Sequence, residues 1–379
     1  MVVGRLVQKL DHFNPATYIG SGKLAELRTL IYATNATGII TDDELSPSQM
    51  ANLSKELDVK VMDRTMVILD IFAAHARTAE GKMQVELAQL EYRLSRLTGK
   101  GTSMSRLGGG IGTRGPGEKK LEQDRRVIRK RVSQLKREIN DMTAHRETTR
   151  KSRERGSYPV FAIVGYTNAG KSTLINALIS LSKKKPEKDV YVANKLFATL
   201  ETNSRIIDLY NYPSFIISDT VGFVSNLPHH LVSSFRSTLE EISEADYLIH
   251  VVDISNPNYK NDIEVTNDVL KQLGADDIPT IMLLNKSDKI PFSPKILKEN
   301  ELYTSLLDEK DIINVFHFIL ENITRDWEEK EILLPYDFDF RIMAKQNYIL
   351  KKINKKDGYL CTIRFNPLYK NNYVSYFLS

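Results

Sequence analysis

The sequence predicts an α/β chain in four parts: an N-terminal parallel α/β unit, an antiparallel helical hairpin, a larger α/β domain and a small C-terminal α/β module. Three observations carry this. Short apolar runs bounded by turn residues alternate with helical patterns at both ends of the chain. Two heptad stripes separated by one glycine-rich segment fill the middle. An apolar run, Val160–Val164, leads straight into a glycine-bearing octapeptide and then an apolar helix pattern. A length of 379 residues leaves ample core for two or three domains of ordinary size.

Residues 1–70 form the first part. Thr37–Thr41 and Val59–Met62 read as strands. Ser46-Pro47 opens a helix between them, a cap followed by a proline in the first turn, so the strands are parallel. Gly20-Ser21-Gly22-Lys23 has the wrong spacing for a phosphate loop and reads as a turn into a helix. Residues 71–157 form the hairpin, its first helical pattern starting near Thr65. Met83, Leu87, Leu90, Leu94 and Leu97 repeat at four, three, four, three, and Ile128, Val132, Leu135, Ile139 and Met142 do the same after Glu118. Two such stripes joined by one loop cover each other. The loop, Gly99–Gly117, holds too many glycines to pack a core. Residues 158–328 are the larger domain. Residues 329–379 follow with a strand at Ile332–Leu334, a helix over Phe338–Lys352 and a strand at Tyr359–Phe365; the terminal aromatics Tyr369, Tyr373, Tyr376 and Phe377 are expected to finish a core.

The octapeptide is Gly165-Tyr166-Thr167-Asn168-Ala169-Gly170-Lys171-Ser172, with Thr173 next. It matches G-x-x-x-x-G-K-[ST] in the strand-to-helix context that the motif needs. There, free backbone N–H groups surround phosphates, Lys171 reaches the β- and γ-phosphates and Ser172 coordinates Mg²⁺. A second apolar strand, Phe215–Ser218, ends in Asp219-Thr220-Val221-Gly222. Asp219 can hold Mg²⁺ through water, and the Gly222 N–H can reach the γ-phosphate. A third, Ile281–Leu284, leads into Asn285-Lys286-Ser287-Asp288. Asp288 can accept the N1–H and exocyclic amino group of guanine, the Lys286 stem can cover the base, and Asn285 can brace the loop. Adenine would leave that carboxylate unpaired, so the nucleotide is GTP, with GDP as product, rather than ATP. The larger part is therefore a P-loop G domain. Phe223 stands where a water-orienting glutamine would, so a low intrinsic hydrolysis rate follows.

Charge points to a second partner. The net charge is only +5, but the helix after the glycine loop carries Lys119, Lys120, Arg125, Arg126, Arg129, Lys130, Arg131, Lys136 and Arg137. With Arg106 and Arg114 in the loop, this suits shape-driven contact with RNA phosphates, not DNA, and the scarcity of aromatics argues against base stacking. One cysteine, Cys361, excludes a disulfide framework and fits a reducing cytoplasm. The apolar stretches are too short to span a bilayer or anchor the chain, with peripheral membrane association left open, and a monomer is expected. His229 and His230 read as exposed loop residues.

The run Gly108–Glu118, the octapeptide, Asp63-Arg64-Thr65 with Leu69–Phe72, Gln84–Leu90 and Leu196–Leu200 resemble the HflX family of translational GTPases, from Val3 to about Val252. The resemblance implies binding to the large ribosomal subunit and splitting or rescue of stalled ribosomes. The alternatives are a GTP-dependent factor in large-subunit assembly and a nucleotide switch without ribosome binding. It places Gly108, Gly109, Gly110, Arg106 and Arg114 toward the peptidyl-transferase region, with the basic helix on ribosomal RNA. It makes Thr199 the switch-one Mg²⁺ ligand, so that Lys171, Thr199 and Gly222 are the catalytic candidates, and makes Thr304-Ser305-Leu306 the last guanine-contact segment. Asn168 matches the position that helps hold K⁺ in some related GTPases. Two departures stand out: Glu201-Thr202-Asn203-Ser204-Arg205 where the family has Asp-Pro-Thr-Thr-Arg, and Glu118-Lys119-Lys120 where it has Glu-Thr-Gln. A leading strand is expected to be missing from the first sheet's edge.

Overall fold

A computed structural model describes residues 1–9, 12–76, 78–104, 116–151, 158–182, 204–209, 212–220, 222–223, 242–290 and 298–377. Two compact units emerge, one within Met1–His145 and the other built from Arg146–Asn226 and Arg236–Ser379.

In the first unit α1 (Ser21–Thr34) follows Gly20 and stops at Asn35, whose φ of +49° is left-handed. Strands β1 (Gly38–Ile40) and β2 (Lys60–Met62) pair in parallel around α2 (Pro47–Leu57), as the alternation predicts. The Ser46 hydroxyl accepts the Gln49 N–H at 3.2 Å, and the Gln49 side chain accepts the Ser46 N–H at 2.9 Å. Such reciprocal capping stabilises a helix start by about 1 kcal/mol. Leu24, Ile31, Leu45, Leu53, Leu57 and Val61 form the core of this layer.

The helix expected from Thr65 to Leu97 is two helices, α3 (Arg64–His75) and α4 (Ala79–Met104). Extended backbone at Ala76 ends the first, and the Thr78 hydroxyl accepts the Gly81 N–H at 3.0 Å to start the second. The heptad stripe begins only at Met83, so no apolar face required one continuous rod. α4 also runs through Gly99 and Gly101, where a loop was expected. A helical glycine costs only about 1 kcal/mol, which the continuing turns of α4 offset. α5 (Pro116–Lys151) returns antiparallel, with proline at its first position. Leu87, Val132, Leu135 and Ile139 are buried between α4 and α5, with Met83, Leu90 and Ile128 packed around them.

In the second unit a sheet, six-stranded among the described residues, runs β4-β5-β3-β6-β7-β8. Its strands are β3 (Val160–Val164), β4 (Ser204–Ile207), β5 (Phe215–Asp219), β6 (Tyr247–Asp253), β7 (Thr280–Asn285) and β8 (Glu301–Thr304). Only β4 is antiparallel to its neighbour. The middle strands are buried on both faces and so read as continuous apolar runs. α6 (Lys171–Leu181) and α8 (Glu309–Thr324) supply Leu174, Leu178, Phe316 and Ile319 to a core with Phe161, Ile163, Ile217 and Ile249. α7 (Tyr259–Gln272) sets Tyr259 and Ile263 against Val252 and Leu284. The chain places β5 and β6 on opposite sides of β3, and the crevice beyond its carboxyl end is where such sheets bind ligands.

The tail forms an antiparallel sheet β10-β11-β9, from β9 (Glu328–Leu334), β10 (Tyr348–Lys355) and β11 (Gly358–Phe365), with α9 (Phe340–Gln346) before β10. The helix expected to reach Lys352 therefore ends six residues early. Buried Asn347 donates its side-chain amide to Met343 O at 3.2 Å and accepts the Asn366 N–H at 3.0 Å, which turns the chain into β10. Cys361, Ile363 and Phe365 alternate inward along β11, where Tyr373 and Phe377 pack on Phe365, completing the core that the terminal aromatics predicted. Among the described residues no helix is long and apolar enough to cross a membrane.

Candidate functional site

The loop between β3 and α6 needs its glycines. Gly165 and Gly170 have φ of +141° and +112°, and a Cβ on Gly170 would stand 2.2 Å from the Asn285 side-chain nitrogen. Asn285 closes this corner. It donates to Ala169 O at 2.8 Å and accepts the Leu306 N–H at 3.2 Å, so one side chain joins the octapeptide, the Asn-Lys-Ser-Asp segment and Thr304-Ser305-Leu306. Thr304 is fully buried beside Asn285 in the β7–β8 register, and the Ser305 N–H is held by Asp311 at 2.6 Å. Asp288, in the turn Ser287–Lys289, is exposed. Three segments far apart in sequence thus meet at one edge of the sheet.

On the other side of the loop, Lys171 is buried, and its ammonium donates to Gly165 O at 2.9 Å and Tyr166 O at 2.8 Å. Burial pushes the ammonium down to about 8, against the pull of the Asp219 carboxylate. Asp219 ends β5, in register with Ile163 of β3, and is fully buried. Ser172 follows Lys171 in the first turn of α6, half-buried, as is Thr173. Gly222 lies against this group: a Cβ there would meet Thr167 Cγ2 at 2.8 Å and Lys171 Nζ at 2.9 Å. Phe223 is 2% exposed and pairs with the loop through its backbone, accepting the Thr167 N–H at 2.8 Å and donating to Gly165 O at 3.1 Å. Its ring is packed away and offers no polar atom to a water. Asn168 keeps its side chain exposed, on a left-handed backbone with φ of +64°. Thr199, His229 and His230 lie outside the described residues.

Three family models match the chain up to residue 286: a GTP-binding GTPase N-terminal region matches residues 1–73, a GTP-binding GTPase middle region 75–153 and a 50S ribosome-binding GTPase 160–286. The GTPase HflX of Lacrimispora saccharolytica is 44% identical over 368 residues, covering 94% of this chain and 84% of that protein. The chain belongs to the HflX family of GTPases. The GTPase HflX of Escherichia coli K12 is 40% identical over 328 residues, covering 85% of this chain and 75% of that one. A solved "crystal structure of SsGBP and GDP complex" is a looser likeness, with 25% identity, TM-score 0.46 and coverage of 83% and 88%.

The hairpin of this HflX-family chain sorts its cations into two sets. Arg126, Arg129, Lys130 and Arg137 are exposed on α5, with Glu122 3.9 Å from Arg129. Arg131 instead forks onto Glu86 at 2.7 and 2.8 Å, a bond that also holds the Glu86 carboxyl below its usual range, and Lys136 pairs with Glu91 at 2.8 Å. Arg125, expected among the RNA contacts, is 17% exposed and donates to Leu97 O across the hairpin. Packing against α4 has turned it inward. Lys119 and Lys120 lie on the first turns of α5; their side chains, and Arg106, Gly108, Gly109, Gly110 and Arg114 altogether, lie outside the described residues.

Sequence reading passed over three polar sites. Asp63 caps α3 through the Met66 N–H and, fully buried, also accepts the Tyr92 hydroxyl at 2.7 Å and Arg96 at 2.5 Å, which ties α4 to the first layer. Its signal was an aspartate before a helix, which reads only as a cap. His250, on the α7 side of β6, is 1% exposed and paired in register with Val164. Burial first, and then the charge of Lys171, push its imidazole down to about 4. Asp253 ends β6 next to Asn285; burial raises its carboxyl, but hydrogen bonds from Lys286 and Ser255 outweigh that and hold it below the ordinary range. A carboxylate ending the strand that flanks β7 was the available clue.

Proposed function

We propose that this chain is a ribosome-stimulated GTPase that binds the large ribosomal subunit and promotes dissociation or rescue of stalled ribosomes. The observation that carries the guanine reading is the corner closed by Asn285, where the octapeptide meets both segments suited to a guanine base. GTP is the substrate: the loop amides, Lys171 and Gly222 receive its phosphates, while Asp288, Lys286 and Leu306 receive its base. The oxygen donors Ser172 and Asp219, with Thr199, suit a hard divalent cation shared with phosphates, so Mg²⁺ fits this site. When bound, Mg²⁺ neutralises charge on the β- and γ-phosphates. The exposed Asn168 amide is the candidate contact for K⁺.

Phe223 supplies no group to orient the attacking water, so hydrolysis is slow until a ribosome contact completes the site. The exposed cations Arg126 and Arg129, with Lys119, Lys120 and the glycine tip, are the surface proposed for ribosomal RNA, and Arg125 supports it by bracing the hairpin. The family description as a 50S ribosome-binding GTPase supports the choice of partner. The test is light scattering on assembled ribosomes with GTP or a non-hydrolysable analogue, alongside GTP turnover with and without large subunits over a range of K⁺. Dissociation and stimulated turnover are expected. Turnover without dissociation in either nucleotide would favour an assembly role, and no stimulation would remove the ribosome from the scheme.

A further inference from the structure

Lys286 does more than stand next to Asp288. Its ammonium donates to Asn168 O at 2.9 Å and pairs with Asp253 Oδ2 at 2.5 Å. The other carboxylate oxygen of Asp253 accepts the Ser255 hydroxyl at 2.6 Å and the Ser255 N–H at 3.1 Å, so both oxygens are occupied and the group cannot swing away. Lys286 and Asp253 are each 20% exposed, which sets this pair apart from the hairpin's more exposed ion pairs. Surface pairs contribute about 0–1 kcal/mol, whereas a mostly buried cation stripped of its partner is costly. Lys286 itself and Asn168, which its ammonium reaches, both carry left-handed backbone, with φ of +62° and +64°. Non-glycine residues hold that conformation only when neighbours fix it. The chain Ser255–Asp253–Lys286–Asn168 is thus a polar strut from the end of β6, through the base-side loop, to the phosphate loop.

We infer that Asp253 is a positioning residue of the nucleotide site: it fixes the Lys286 stem where a purine face would pack and, through Lys286, fixes the Asn168 carbonyl. This rests on the guanine reading proposed above. Without the carboxylate, the ammonium keeps one neutral carbonyl as its partner and turns toward water. The stem leaves the base plane and the phosphate loop loses its tether. Loss of stacking affects any purine alike, while the hydrogen bonds that read guanine, at Asp288, stay in place.

The near-isosteric Asp253→Asn variant of the full chain tests this through release of methylanthraniloyl-GDP in stopped flow and competition by GDP and IDP. The GDP release rate is expected to rise about 10-fold, GDP and IDP affinities to fall by the same factor, and GTP turnover at saturation to change less than the KM. Ser255→Ala should give a smaller rise, about 3-fold, and Asp253→Asn should add nothing in a Lys286→Met background. Unchanged release in both single variants, or full additivity with Lys286→Met, would overturn the inference. So would a collapse of the GDP-to-IDP ratio, which would mean that Asp253 acts through Asp288. No GDP binding by the wild type would sink the guanine reading itself, whereas normal wild-type binding with unaltered variants sinks this inference alone.

Discussion

The buried imidazole of His250 makes the G domain acid-sensitive by an amount that can be worked out. Its ordinary value of 6.5 falls to about 4 in the folded chain, because burial disfavours the cation and Lys171 adds a like charge. A base whose folded value lies below its unfolded one contributes stability that is complete above pH 6.5 and is lost as pH falls toward 4. The unfolded chain takes up the proton first. Between pH 7.5 and 5.0 the linkage relation gives a loss of about 2 kcal/mol from this one residue. His250 is almost fully buried, so solvent screening does not reduce the figure. The chain has one tryptophan, Trp327, packed against the main G-domain core, so its fluorescence in urea reports this domain. His250→Leu places an aliphatic group on the strand face shared with Leu248 and Val252 and removes the titrating group. The variant should lose about 2 kcal/mol less than wild type between the two pH values, whatever its stability at pH 7.5. Equal losses in both proteins would refute the assignment of a neutral imidazole beneath the phosphate loop.

Other outcomes follow from the same geometry. Gly170→Ala adds backbone strain of about 1–3 kcal/mol and drives a methyl into the Asn285 amide, so GDP affinity in a fluorescence titration should drop at least ~100-fold; a loss under ~3-fold would contradict the closed corner. Leu135→Ala empties a fully buried position of the hairpin and should destabilise it by about 2–5 kcal/mol, read by helical circular dichroism in urea. A cost below ~1 kcal/mol would mean that the stripes do not pack. Asp63→Asn leaves Arg96, 13% exposed, with only the longer Glu44 contact at 3.5 Å as counter-charge and should cost about 3 kcal/mol by the same measurement.

Much of this was legible because it lies in backbone-dictated patterns. Apolar runs gave β3, β5 and β7, four-three spacing gave the α4–α5 seam, and Ser46-Pro47 gave the start of α2. The misreadings share a physical cause, a break set by one side chain and not by composition. Thr78 restarts a helix within the polar run His75–Lys82, and Asn347 turns a helical pattern into an edge strand by bonds to residues near and far. At the site, spacing alone named Gly170, Lys171, Asn285 and Asp288. It could not show that Arg125 folds inward, since that depends on the reach to Leu97 O across the hairpin. Nor could it find Asp253 or His250, which matter through neighbours on adjacent strands, and strand order is invisible in a linear chain.

The Asp63 junction also bears on how such a chain can change over generations. Tyr92, Arg96, the Leu45 N–H and the Met66 N–H all converge on one carboxylate with no water-exposed surface. Arg96 is held again from its other side by Leu45 O at 2.6 Å. Replacing Asp63 alone leaves the guanidinium only the longer Glu44 contact, and replacing Arg96 alone leaves a buried anion without its cation, so each single step passes through a weakened protein. Exchanging the charged pair together for fitted apolar groups removes the unpaired charge, but the Tyr92 hydroxyl and the Leu45 and Met66 N–H groups then need new acceptors. Positions 63 and 96 are therefore bound to vary together or not at all, with 92 following in size and hydroxyl content. An alignment of relatives in which 63 and 96 drift independently would show that other contacts carry this joint.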